Sequence, residues 1–96
     1  MITSKQVIES TRAYIAENFL YARPDFVIGE GDSLLGRGII DSLGVMEIVE
    51  FLGAQFGIVA QDEDMTEQNF GTLAGIARFV LLRSAAETAE PVNAEA

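Results

Sequence analysis

The 96-residue chain contains neither cysteine nor histidine. That excludes disulfides, thiolate and imidazole metal sites, a cysteine nucleophile and any serine–histidine triad. The side chain that most often shuttles protons near neutral pH is missing too. Catalysis would have to rest on carboxylates, lysine or tyrosine, with no plausible paired site, so the chain is not expected to be an enzyme. Basic residues are scarce: Lys5, Arg12, Arg23, Arg37, Arg78 and Arg83 are the whole set. None falls between Gly38 and Ala77, where Asp41, Glu47, Glu50, Asp62, Glu63, Asp64 and Glu67 all stand, and the net charge is −9. A surface of one negative sign repels phosphate backbones and anionic lipids, so neither nucleic acid nor a membrane surface is an expected partner. It would attract a basic protein patch. The plainer reading, that the acidic residues only keep a small domain in solution, stands beside this one. Long apolar runs are absent as well. Phe79-Val80-Leu81-Leu82 is far too short to cross a bilayer, and no apolar segment near the N-terminus marks a secretory signal. The expected setting is the cytoplasm.

What is present suits one compact domain. Apolar residues make up 49% of the chain, too many for a disordered one. A first helix is expected over about residues 4–21. Thr3-Ser4-Lys5-Gln6 fits a capping box, and Ile2 and Val7 stand at the positions of a hydrophobic staple. Ile8, Ile15 and Phe19, with Val7 and Tyr14 beside them, form the inward stripe. From Arg23 to Ile40 the pattern breaks at Pro24, Gly29, Gly31, Gly36 and Gly38. The apolar clumps Phe26-Val27-Ile28, Leu34-Leu35 and Ile39-Ile40 imply that this long connection packs across the core. Connections of such length are often functional.

Asp41 is the N-cap of a second helix. Val45, Ile48, Val49, Leu52 and Phe56 recur at helical spacing and are expected to face inward, leaving Leu43, Met46, Glu47, Glu50 and Ala54 outside. Gly44 and Gly53 each cost such a helix about 1 kcal/mol relative to alanine, so packing must compensate. Gly57 suits its end. An acidic stretch leads to a single-turn helix at Thr66–Phe70. Thr72 then caps a last helix with Leu73, Ile76, Ala77, Val80 and Leu81 inside and with Arg78 and Arg83 placed to suit its dipole. The expected fold is all-α: a small four-helix bundle of three longer helices and one short one, with a long loop between the first two. The domain is expected over residues 1–84, with a disordered tail over 85–96. Gln61-Asp62-Glu63-Asp64 lacks the ligand ladder of a calcium loop, so no metal site is expected.

Gly38-Ile39-Ile40-Asp41-Ser42-Leu43-Gly44-Val45-Met46-Glu47-Ile48-Val49-Glu50-Phe51 resembles the attachment region of acyl and peptidyl carrier proteins. The similarity continues through Phe56-Gly57-Ile58, Asp62-Glu63-Asp64, Asn69-Phe70 and the helix from Leu73 to Val80, covering most of the chain from Asp32 to Leu82. The Gly-Ile-Ile-Asp-Ser-Leu-Gly wording is closer to freestanding carriers of aminoacyl or unusual acyl groups than to fatty-acid carriers, in which a polar residue usually stands where this chain has Gly44. A start at Met1 without a linker-like leader also points to a freestanding protein. The resemblance implies a 4′-phosphopantetheine arm from coenzyme A on Ser42, carrying an acyl or aminoacyl thioester. It implies as partners a phosphopantetheinyl transferase, an acyl- or aminoacyl-loading ligase and downstream transferases, all met by a monomer. It also implies the second helix as the recognition element.

The residues themselves make the position sensible. A serine in a first turn presents its hydroxyl beside unpaired backbone N–H groups, where a phosphodiester gains roughly 0.3–1 kcal/mol from the helix dipole, against repulsion from Asp41. No histidine stands by to activate Ser42, which fits modification by a separate enzyme. Asp-Ser-Leu by itself is a weak signal, since it occurs twice. Asp32-Ser33-Leu34 is followed by Gly36, Arg37 and Gly38 and opens no amphipathic helix. Asp41, Leu43, Met46, Glu47 and Glu50 form a candidate docking face, an apolar spot with an acidic rim. Against this, a lone exposed leucine or methionine is ordinary. The competing reading of the whole chain is an acidic helical adaptor that binds a basic partner without a prosthetic group.

Overall fold

A computed structural model describes residues 2–20 and 27–95, with side chains described as far as Ser84. The described residues form a small all-α bundle of four helices with no strand among them. These are α1 (Ser4–Asn18), α2 (Ser42–Phe56), α3 (Glu67–Phe70) and α4 (Leu73–Glu95), with a 3₁₀ turn at Asp62–Asp64. Among the described residues no helix is long and apolar enough to cross a membrane.

Local chemistry starts and stops these helices. Thr3 Oγ1 accepts from the Gln6 N–H at 3.1 Å, and the Thr3 N–H donates to Gln6 Oε1 at 3.4 Å, so two otherwise orphaned donors are paired. α1 then buries Val7, Ile8, Thr11 and Ile15 along one stripe, chiefly against α4. It ends at Asn18, short of the expected residue 21; Tyr21, Arg23, Pro24 and Phe26 lie outside the described residues. Thr11 was not among the expected core residues. Its hydroxyl is buried and finds no hydrogen-bond partner among the described residues, a local cost inside an otherwise apolar interface. α2 ends at Gly57, whose φ of 74° is the left-handed conformation that favours glycine.

The connection between α1 and α2 packs across the bundle: Ile39 and Ile40 both turn inward, while Val27-Ile28 and Leu34-Leu35 each send one residue in and one out. Ile28, Leu34, Ile39 and Ile40 are buried, whereas Val27 and Leu35 are exposed. Hydrogen bonds fix the path. Arg12 Nε donates to the Ile28 carbonyl at 3.0 Å, and the Leu34 N–H donates to the Gly71 carbonyl at 2.8 Å. The Ala74 N–H donates to the Glu30 carbonyl at 3.0 Å, so the loop is stapled to the corner between α3 and α4.

α3 is the expected single turn, capped by Thr66, whose side chain accepts from the Asn69 N–H. Thr72 Oγ1 accepts from the Gly75 N–H at 2.9 Å at the start of α4. On α4, Phe79 is buried and Leu81 only half-buried, a correction to the expected stripe. Phe79 turns in because α3 offers it Phe70, with ring centroids 5.1 Å apart. α4 also runs to Glu95 rather than ending near residue 84. Ser84-Ala85-Ala86-Glu87 carries the helix on because alanine and glutamate cost a helix little.

Candidate functional site

The start of α2 is fixed by its two buried flanks. Ile40 is 5% exposed, and Gly44 is buried one turn further on. Between them Asp41 takes an extended conformation, and its Oδ1 accepts from the Gly44 N–H at 2.8 Å. Ser42 is therefore the first residue of the helix and is exposed. No described residue hydrogen-bonds its hydroxyl. Gly44 has a packing role. A Cβ there would lie 3.0 Å from Ile40 Cβ and 3.1 Å from Phe19 Cε1, so only glycine lets the helix start settle on these side chains without displacement. The helix penalty expected for Gly44 is thus met by close approach.

The other Asp-Ser-Leu is spent on a turn. Asp32 Oδ2 accepts from the Gly29 N–H and from Arg37 Nη1, both at 2.7 Å. Ser33 Oγ accepts from the Gly36 N–H at 2.9 Å, and Leu34 is fully buried. The Gly29 N–H, seconded by Arg37, holds the Asp32 carboxyl below the usual carboxylate range against a smaller effect of burial.

On the outward face of α2, Leu43 is 74% and Met46 52% exposed, with Glu47 and Glu50 exposed beside them. The two carboxylates also reach the neighbouring Tyr14 of α1. Tyr14 stacks on Phe51 with centroids 4.3 Å apart, and burial, followed by the Glu47 and Glu50 carboxylates, raises its phenol above its ordinary pKa. The structure thus gathers Asp41, Ser42, Leu43, Met46, Glu47 and Glu50 around one end and one side of α2.

Sequence spacing did not disclose a cleft of about 520 Å³ lined by Ser42 together with Leu35, Val45, Met46, Met65 and Phe70. Its walls come from three elements: the loop before α2, α2 itself, and the corner around α3. Val45, expected inward, is half-buried and faces this cleft. Among the described residues no group of three or more carboxylates is placed to hold a metal ion.

Arg83 is likewise placed differently from its expected role at the helix end. Its guanidinium pairs with Asp64 Oδ2 at 2.6 Å and donates to the Val59 carbonyl at 2.9 Å, well before the end of α4. The Gln61 N–H, followed by Arg83, holds the Asp64 carboxyl below the usual range, against the opposing effect of burial. No protein-family model matches the chain, and no curated protein matches it either.

The exposed, unengaged hydroxyl beside this cleft could take the phosphodiester of the expected phosphopantetheine arm without displacing any hydrogen bond. When bound, such an arm would supply the thiol that this cysteine-free chain lacks.

Proposed function

We propose that the chain is a carrier protein of the acyl and peptidyl carrier class, bearing 4′-phosphopantetheine on Ser42. In the loading reaction Ser42 Oγ forms a bond to the phosphorus next to the pantetheine of coenzyme A. The bond from that phosphorus to the bridging oxygen breaks, and 3′,5′-adenosine bisphosphate leaves. A base of the transferase takes the hydroxyl proton, since this chain has no histidine to do so. A ligase then places an acyl or aminoacyl group on the thiol as a thioester, and downstream transferases remove it. The carrier itself catalyses none of these steps. It works as a monomer in the cytoplasm, where coenzyme A is at hand.

One observation carries the reading: of two serines in the same tripeptide, Ser42 has a free, exposed hydroxyl at a helix start that lines an apolar cleft. Its setting supports the partners as well. Leu43 and Met46, rimmed by Asp41, Glu47 and Glu50, make a small apolar contact in a negative field, suited to brief encounters with basic enzyme surfaces. The same face would serve an acidic adaptor without any arm, which is the second reading.

The test is intact mass after incubation with a broad-specificity phosphopantetheinyl transferase, coenzyme A and Mg²⁺. The wild-type chain is expected to gain one arm, and Ser42→Ala to gain none. An unmodified wild type with several transferases, or loss of the gain in Ser33→Ala alone, contradicts the proposal. The adaptor reading instead requires that Ser42→Ala leave function intact while charge reversal at Glu47 and Glu50 removes it.

A further inference from the structure

The far wall of the cleft beside Ser42, formed by Met65 and Phe70, belongs to a segment with little secondary structure of its own. Between Gly57 and Leu73 the chain has one 3₁₀ turn and a four-residue helix. A four-residue helix is marginal in isolation, so its place must come from outside contacts.

Arg83 makes those contacts from α4. It reaches both ends of the strap that precedes α3, the Val59 carbonyl at one end and the Asp64 carboxylate at the other. The pair is shielded, with the Arg83 side chain 27% and that of Asp64 15% exposed, so it is screened less than a surface pair. Two routes lead from it to the cleft. Through the backbone, the Asp64 carbonyl accepts from Asn69 Nδ2 at 2.8 Å, which ties the clamped strap to α3. Through packing, Arg83 lies 5.1 Å from the centre of the Phe79 ring, and Phe79 packs against Phe70, which lines the cleft.

We propose that Arg83 is a positioning residue: its clamp on the Val59–Asp64 strap holds α3 in place and so fixes the aperture of the cleft beside Ser42. The identity of the cleft's occupant as an apolar cargo rests on the carrier reading; the clamp does not. Arg78, exposed on the same helix, is the natural control.

The experiment uses the full chain without its arm and a neutral apolar fluorophore, N-phenyl-1-naphthylamine, as probe. Amide hydrogen exchange is followed in parallel. In Arg83→Ala the probe is expected to bind about fivefold more weakly, because a preformed wall is lost. Exchange at Phe70 and Gly71 is expected to quicken about tenfold, while Ile15 and Ile48 keep their protection. Arg83→Lys keeps the charge but not the two-ended reach, and should recover part of both effects. Arg78→Ala should change neither. The proposal is overturned if exchange at 65–71 is unchanged, if it quickens uniformly over the chain, or if probe binding in wild type is absent or indifferent to Arg83→Ala. Arm attachment, measured on the same proteins by mass, separates the two ideas: a wild type that takes no arm removes the carrier reading and leaves the clamp standing.

Discussion

Asp32-Ser33-Leu34 and Asp41-Ser42-Leu43 are the same three residues, nine positions apart, with opposite fates. Both aspartates accept backbone N–H groups three residues away in sequence, Asp32 from Gly29 behind it and Asp41 from Gly44 ahead. The direction of that bond makes the difference. Asp32 closes a turn, its serine is engaged by Gly36, and its leucine becomes core. Asp41 opens a helix, which turns its serine and leucine to solvent. The tripeptide therefore encodes a capped turn in general. The residues after it, Gly36-Arg37-Gly38 in one case and Val45-Met46-Glu47-Ile48 in the other, decide whether a helix grows from it.

The largest contrast lies at the two leucines. Leu34→Ala removes a fully buried side chain and should cost about 2–5 kcal/mol in urea unfolding. Leu43→Ala, at an exposed position, should stay within about 0.5 kcal/mol. Equal costs would mean that the two segments are not differently placed.

Next come the caps. Asp41→Ala should lower stability by about 1 kcal/mol through the unpaired Gly44 N–H, with Asp41→Asn recovering most of it, since asparagine caps nearly as well. Parallel urea melts of the two variants check this.

The smallest effect is the dependence of the first segment on pH. The Asp32 carboxyl is depressed in the folded state, so its contribution is full above the ordinary carboxylate range and is lost as pH falls through the lowered value. The slope of stability against pH should accordingly be positive in the acid range and shallower in Asp32→Asn. An unchanged slope would show that Gly29 and Arg37 do not hold the ionised form.

Much of the fold was legible because its signals are local. The Thr3–Gln6 box, the Asp41 cap, the single turn after Thr66 and the cap at Thr72 each need only a few neighbouring residues, and each stands where expected. What stayed hidden depends on chain segments meeting at a distance. In Val27-Ile28 and Leu34-Leu35 no period says which neighbour turns inward, and contact with the α3–α4 corner decides it. Phe79 is core because Phe70 is there to meet it. Arg83 looked like a helix-end charge until the strap came within its reach. At the candidate site, the exposure of Ser42 came from a cap and a helical period. The cleft beside it did not, since three separated segments build it.

The most direct measurement is peptide-level mass mapping of the wild-type chain after reaction with the transferase and coenzyme A. Digestion that separates the two tripeptides should find the arm on the fragment holding Ser42, with the fragment holding Ser33 unmodified. An arm on Ser33, or shared between the two, would contradict the claim that a free hydroxyl at a helix mouth selects the site.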